Sequence, residues 1–389
     1  MEQNTERKKY DKVYRSVLFS VFLLFIFSVF VLNTISKDRI FSEQENRKLN
    51  AKPEFSINKL LHSKFTSKYE KYVSDQFILR DSLINIKAAS EKIIGKKENN
   101  DVYLGHDKFL IAKFKKLDKN SISERLKAIN TFARENKKLS KYVMLVPNQV
   151  KVLSEKLPAN APEKDQLQFV DKVYSGLDKD IKTINVFNTL NEHKNEYIYY
   201  KTDHHWTTKG AYYAYKEFCK SAEINSKNES DYDIKKVSNN FYGTLYSRAG
   251  VRNIGSDEIN VYLPKTNEPT LVNFIDKKKK SASLYNSNSL DGKDKYTVFL
   301  GGNDSIVKIN TCSNSEKRLL VVKDSYANCF IPFLTAHFDQ IIVVDLRYYE
   351  DDLKTVIKDY GITDVLILYN VNTFFEDPSI LNISNYDDN

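Results

Sequence analysis

From Ser16 to Ser36 the chain has 21 residues without a charge, and "VLFSVFLLFIFSVFVL" at their centre is nearly continuous hydrocarbon and aromatic. As a helix this run measures about 32 Å, close to the roughly 30 Å hydrocarbon core of a bilayer. Arg7, Lys8, Lys9, Lys12 and Arg15 precede it. The excess of positive charge predicts a cytoplasmic tail over 1–15, a single-pass cell-membrane anchor over 16–36, and an extracytoplasmic remainder after Lys37. A cleaved signal peptide is the competing reading. The run is long for that role, and no small-x-small cleavage site follows it.

Residues 37–97 read as a polar, helical approach segment. Phe77, Leu79, Leu83, Ile84 and Ile86 are crowded enough to pack on a body. "NNDVYLGHDKFLI" then alternates short apolar runs with Gly105 and Asp107, a hairpin signal. Ser121 and Glu124 fit a capping box, with Leu126, Ile129, Phe132 and Ala133 at helical spacing behind it. "KYVMLVPN" predicts a buried strand, 164–177 a helix, "TINVFN" and "EYIYY" two more strands, and 207–222 a helix. From about 225 to 317 the rhythm breaks into "NFYGTLYS", "EINVYL", "LVNFI" and "KYTVFLGG", read as a β-rich insertion whose Lys run at 277–280 is an exposed loop. Strand "RLLVVKDSY", helical "FIPFLTAHF", strand "QIIVVDLRYY", helix "EDDLKTVIKDYG" and strand "DVLILYN" close the chain. Strand–helix alternation predicts an α/β domain over 98–389, a parallel sheet flanked by helices.

Composition alters this picture little. Apolar residues at 41% allow a sizeable core, and 11 Gly with 8 Pro argue against a disordered chain. The net charge of +9 favours anionic partners without choosing among them. An exported domain meets surface polymers rather than nucleic acid, so no nucleic-acid partner is expected. Cys219, Cys312 and Cys329 have no paired spacing, which speaks against a cysteine zinc site. They read mainly as small buried residues.

Ligands on open α/β sheets collect at the carboxyl ends of strands. Two polar clusters fall there on this reading: Thr202-Asp203-His204-His205 after "EYIYY", and Lys323-Asp324-Ser325-Tyr326 after "RLLVV". A Ser just past a hydrophobic strand sits on a tight turn, exposed, near backbone N–H groups. A His can take its proton, and an Asp can hold that His in one tautomer. Asp203 and His205, two apart, share a side if the segment is extended, while His204 faces away. A metal site wants three or four ligands, and no further His or Cys cluster presents itself. The bland reading of each cluster alone is a structural turn.

"TDHHWTTKGAYYAY" resembles the signature of the DHHW family, which is SGNH-hydrolase-like and related to the alginate O-acetyltransferases. "DQFILRD", "NDVYLGHDKFLI", "VPNQVKVLSEKLP", "FYGTLYSR", "VVKDSYANCFIPFL" and "DLRYY" resemble it too, in the same order, over roughly residues 65–375. The resemblance implies an SGNH-like sheet, with Ser325 as nucleophile, His205 as general base and Asp203 as orienting acid. Ordinary SGNH hydrolases place the Ser first and use Asp-x-x-His. Here Asp-x-His comes first, as in the acetyltransferase branch. The backbone N–H groups of Ser325 or Tyr326 are expected oxyanion donors. "GGND" resembles the SGNH block that supplies an Asn donor, here Asn303, although a simple turn is the alternative. Arg248 and Tyr246 are expected to face the substrate, as are Asn370 and Asn372.

The resemblance therefore implies an O-acetyltransferase acting on a cell-surface or secreted polysaccharide through an acyl-enzyme. Neither metal nor other cofactor is expected. A membrane-bound O-acyltransferase partner would supply acetyl groups across the membrane. A carbohydrate acetylesterase with the same triad and a non-catalytic binder of cell-wall polymers remain the alternatives.

Overall fold

A computed structural model describes residues 2–42, 47–61, 64–115, 119–266 and 268–384. The chain divides into two compact units, Met1–Ile94 and Gly95–Asn389.

In the first unit, α1 (Glu2–Ile35) contains a 26-residue apolar stretch, Tyr10–Ile35, long enough to cross a membrane. Two further helices, α2 (Lys64–Gln76) and α3 (Arg80–Ile93), form a hairpin that turns at 77–79. Buried Asp75 organises the chain leading into it. Its carboxylate accepts from Arg47 and from the backbone and side chain of Asn50. The Arg47 bond above all holds this group below the usual carboxylate range. Of the residues expected to pack on a body, Leu79, Leu83 and Ile86 stay exposed, because among the described residues no element of this unit covers them.

The second unit is built on an eight-stranded sheet. Its strands in chain order are β1 (Ser140–Val146), β2 (Ile181–Thr183), β3 (Leu271–Phe274), β4 (Lys279–Ser281), β5 (Ile306–Asn310), β6 (Arg318–Lys323), β7 (Gln340–Val344) and β8 (Asp364–Asn370). Their spatial order is β4-β3-β5-β7-β6-β8-β1-β2. From β7 to β2 every pairing is parallel; β5, β3 and β4 add on antiparallel. The central strands are continuous apolar runs because helices and loops cover both faces. Val322 lies beside Val344 and Ile367, and all three are buried. One face packs against α4 (Lys119–Glu135) and α5 (Gln166–Gly176). The other packs an aromatic layer that includes Trp206, Tyr200, Phe218 and Phe330. This second layer holds α6 (Thr208–Ala222), capped by Thr207, whose hydroxyl accepts from Gly210 N. α7 (Leu353–Tyr360) joins β7 to β8 and ends at Gly361, where φ is 59°.

Several sequence expectations are corrected here. The expected β-rich insertion is present, but most of it does not stand apart: β3, β4 and β5 extend the main sheet, while Tyr232–Phe241 with Asp257–Pro264 forms an independent two-stranded ribbon. The Lys run is an exposed hairpin tip that continues into edge strand β4. "TINVFN" is mostly a turn into the short helix Phe187–Glu192, because Asn185 accepts from Phe187 N and breaks the extension. "EYIYY" joins no sheet and makes one bridge, Tyr199 to Trp206. "NFYGTLYS" enters the helix Thr244–Ala249, while 295–298 and most of 325–336 are 3-10 turns. Ser121 lies inside α4, and its hydroxyl accepts from Arg125 rather than capping the helix. Cys219 and Cys329 are buried free thiols, and Cys312 is an exposed one.

His337 carries a pH dependence. Its Nε2 hydrogen-bonds the Tyr215 hydroxyl. Burial, and then Lys227, push its ring down to about 4. The unfolded chain, near 6.5, then binds more protons than the folded one as pH falls. Denaturant midpoints should drop as pH falls from about 6.5 toward 4, and less so in His337→Gln.

Candidate active site

The Ser325 turn is set by Asp324. Strand β6 ends at Lys323, and the 3-10 turn Ser325–Cys329 follows at once. Asp324 is fully buried and uses both carboxylate oxygens. Oδ1 accepts from Tyr326 N at 2.9 Å, and Oδ2 from Asn370 N at 2.9 Å and Asn370 Nδ2 at 2.6 Å. Burial raises this carboxyl group, against the pull of those bonds. Among the described residues nothing accepts the Ser325 N–H.

The segment 199–206 is a bent loop held from three directions. Gln149, just past β1, donates to the carbonyls of Tyr200 and Asp203. Buried Asp257 accepts from Lys201 N at 2.8 Å and Thr202 N at 2.7 Å. Two bonds latch the loop to the Ser turn: Trp206 Nε1 donates to Tyr326 O at 2.9 Å, and the Tyr326 hydroxyl donates to His204 O.

The latch aligns three side chains. His205 Nε2 lies 2.8 Å from Ser325 Oγ, and His205 Nδ1 lies 2.5 Å from Asp203 Oδ1. Asp203 Oδ1 also accepts from His205 N at 3.0 Å. Its Oδ2 accepts from Thr244 N at 2.7 Å and Thr244 Oγ1 at 3.0 Å. Desolvation alone would raise this carboxyl group; the two His rings and these bonds outweigh it and hold Asp203 below the usual range. Tyr296 stacks on His205 at 3.7 Å and donates its hydroxyl to Ser325 O at 3.1 Å. An aromatic face and a carboxylate thus fix the imidazole plane, with Nε2 aimed at the hydroxyl.

The expected geometry differs in one respect. Because the loop is bent, His204 does not face away. Its ring lies 3.8 Å from that of His205, and its Nδ1 bonds Thr244 Oγ1 at 2.8 Å. Burial, and then His205, push His204 below the usual imidazole range. Ligand atoms of Asp203, His204 and His205 lie within 4.8 Å of one another, close enough for a cation. A cation there would compete with the His205–Asp203 bond and with the Thr244 bonds that now occupy these donors.

The other expected site residues fall in different places. The Tyr326 N–H is committed to Asp324. Asn303 follows Gly301 and Gly302, whose φ values of 72° and 105° make the "GGND" turn. Its Oδ1 accepts from Lys323 Nζ at 2.7 Å and Asn328 Nδ2 at 3.1 Å. Lys323 is fully buried and also reaches Asp345, which Arg347 holds through two side-chain bonds. Asn370 is a correction: it is 1% exposed, and its amide is spent on Asp324, Thr373 and Asn148 rather than facing a substrate. Asn372 is engaged with Gln166 and Lys113 O. Arg248 is exposed and donates to Asn100 O, while half-buried Tyr246 packs 4.6 Å from Tyr242, with Arg252 4.7 Å over its ring.

Gly243, Thr244, Gln149, Asp257 and Tyr296 were missed from sequence. Asn148-Gln149, a polar pair directly after a buried strand, was a usable signal. Tyr296 had none, being one of 25 tyrosines.

The mixed sheet flanked by helices, with Ser325 just past the end of β6 and Asp203 and His205 on a loop beside it, is an SGNH-hydrolase-like fold. Residues 101–344 match the family described as DHHW protein, and the chain belongs to that family. A DHHW family protein from Eubacterium siraeum is similar in structure, with TM-score 0.65, 26% identity, and coverage of 74% of this chain and 96% of that one. Bacillus cereus PatB1, solved with a sulfonyl adduct, gives TM-score 0.61 and 23% identity over 74% of this chain and 100% of that one. No curated protein matches the chain.

Gly243 offers a test of the alignment. A Cβ there would lie 2.2 Å from Asp203 Cβ, so Gly243→Ala must push the carboxylate aside. The His205 Nδ1 proton, shared with Asp203, should appear far downfield in proton NMR of the wild type. It should shift upfield or vanish in both Gly243→Ala and Asp203→Asn.

Proposed function

We propose that this chain is a membrane-anchored, extracytoplasmic O-acetyltransferase acting on a cell-surface or secreted polysaccharide. The observation that carries the reading is the unbroken Asp203–His205–Ser325 hydrogen-bond chain. His205 Nε2 takes the Ser325 proton as Oγ attacks the acetyl carbonyl carbon. Asp203 keeps Nδ1 protonated and stabilises the imidazolium that forms. The Ser325 N–H is the candidate donor to the tetrahedral oxyanion. His205 then protonates the leaving group, and an acetyl ester remains on Ser325. In the second half a sugar hydroxyl gives its proton to His205 and attacks that ester, restoring the free serine.

The aromatic pair Tyr242 and Tyr246, their planes tilted by 42°, with Arg252 and Lys293 over the Tyr246 ring, forms a half-exposed aromatic and cationic patch suited to a polysaccharide chain. A membrane-bound O-acyltransferase would serve as the acetyl donor, as the resemblance to the alginate O-acetyltransferases implies. The apolar stretch of α1 would hold the domain beside that partner, with residues 1–15 in the cytoplasm.

The test uses the full chain in detergent with a chromogenic acetyl ester. Intact mass should rise by one acetyl group, located on Ser325. Ser325→Ala and His205→Ala should each lower turnover on the order of 10³-fold or more. Phenylmethylsulfonyl fluoride should block Ser325, chemistry in keeping with the sulfonyl adduct of PatB1. Added oligosaccharide should accelerate turnover and become acetylated. Turnover that oligosaccharide leaves unchanged would indicate an esterase. Equal behaviour of wild type and Ser325→Ala would leave only a polymer-binding role.

A further inference from the structure

We infer that the α2–α3 hairpin is a second membrane contact, with the exposed apolar stripe of α3 lying among the lipids of the bilayer surface. The inference rests on the reading that α1 spans the membrane.

Three observations carry it. The first is position. Ile78 N, in the hairpin turn, donates to Asn33 Oδ1 at 2.7 Å, and Asn33 sits in the last turn of α1. Arg39 N donates to Gln76 Oε1 at 2.8 Å, and Gln76 Nε2 returns a bond to Arg39 O at 2.9 Å. These bonds fix the turn at the depth where the apolar helix leaves hydrocarbon. The second is pattern. Leu79, Leu83, Ile86 and Ile93 recur at helical spacing, and they are 67%, 51%, 61% and 84% exposed. The opposite side of α3 carries Asp81, Asn85 and buried Ala88. Such a stripe is unfavourable in water and favourable at a lipid interface. The third is the cleft beside the stripe. A groove of about 690 Å³ runs between α2 and α3, with apolar Val73, Phe77, Leu83 and Ile84 in its lining and Glu70, Arg80 and Lys87 at its edge. Exposed Lys68 and Lys71 on α2 add positive charge suited to anionic headgroups. An apolar groove whose edge carries two cations, Arg80 and Lys87, against one carboxylate, Glu70, suits an acyl chain below a phosphate, and the bonds to α1 keep it within reach of one.

Fluorescence quenching by lipid tests the inference on the full chain. In a Cys312→Ser background, single cysteines at Leu83→Cys and Ile86→Cys are labelled with bimane. Lys220→Cys, at the exposed end of α6, serves as the aqueous control, and Val21→Cys within α1 as the spanning control. The chain is placed in nanodiscs of phosphatidylcholine and phosphatidylglycerol carrying brominated acyl chains. Labels at 83 and 86 should be quenched several-fold more than the label at 220, most strongly by shallow bromines, while 21 responds to deep ones. Quenching at 21 with labels at 83 and 86 matching 220 would overturn the inference and leave the spanning reading intact. A bimane blue shift at 83 and 86 without bromine quenching would also overturn it, since a protein surface would then cover the stripe. No quenching at 21 would remove the spanning reading and the inference together.

Discussion

Two hydrogen bonds between residues far apart in sequence hold the candidate site together. Trp206 Nε1 reaches Tyr326 O, and the Tyr326 hydroxyl reaches His204 O. Each bond starts in one polar segment and ends in the other. They fix the distance between an imidazole on a loop and a hydroxyl at a strand end. Trp206 and Tyr326 are also among the largest fully buried side chains, so the latch is part of the aromatic core. A shift of that core would move His205 relative to Ser325. This explains why the only tryptophan in the chain lies beside the two histidines.

Around the latch, buried carboxylates do structural work. Asp203, Asp257, Asp324 and Asp345 are each at most 1% exposed. Burying a carboxylate is costly unless its oxygens are satisfied. Asp257 holds the DHHW loop by backbone N–H groups, Asp324 holds the Ser turn and the end of β8, and Asp345 pairs with Lys323 and Arg347. Asp203 alone is aimed at an imidazole whose other nitrogen meets a hydroxyl. The same chemical group thus serves as a loop clamp at Asp257 and Asp324, as an ion-pair partner at Asp345 and as an imidazole partner at Asp203.

The sequence revealed the parts whose physics is local. Continuous apolar runs marked β1, β6, β7 and β8, and a Ser directly after β6 pointed to the turn. The apolar stretch of α1 was legible from length alone. The misreadings came where tertiary contacts decide. "EYIYY" has strand composition, but its residues are recruited to an aromatic core and its backbone to Gln149 and Asp257. Asn370 looked like a substrate ligand at a strand end, yet its amide is consumed in holding Asp324. His204 was assigned to the far side on the assumption of an extended chain, and the bend of the loop brings it back. Gly243 gave no warning, because only the folded position of Asp203 makes a methyl group impossible there.

The sheet has open rims as well as an end that carries the candidate site. One rim is β4, three residues long, with Lys279 and Lys280 on it and Lys277 and Lys278 in the turn before. The other is β2, also three residues, with exposed Lys182 at its centre. A bare strand rim invites other chains to add on, and short length with repelling ammonium groups discourages them. Lys182 and Lys277 are neutralised by Glu223 and Asp304, so it is Lys278, Lys279 and Lys280 whose surplus charge guards a bare rim against edge-to-edge pairing between copies.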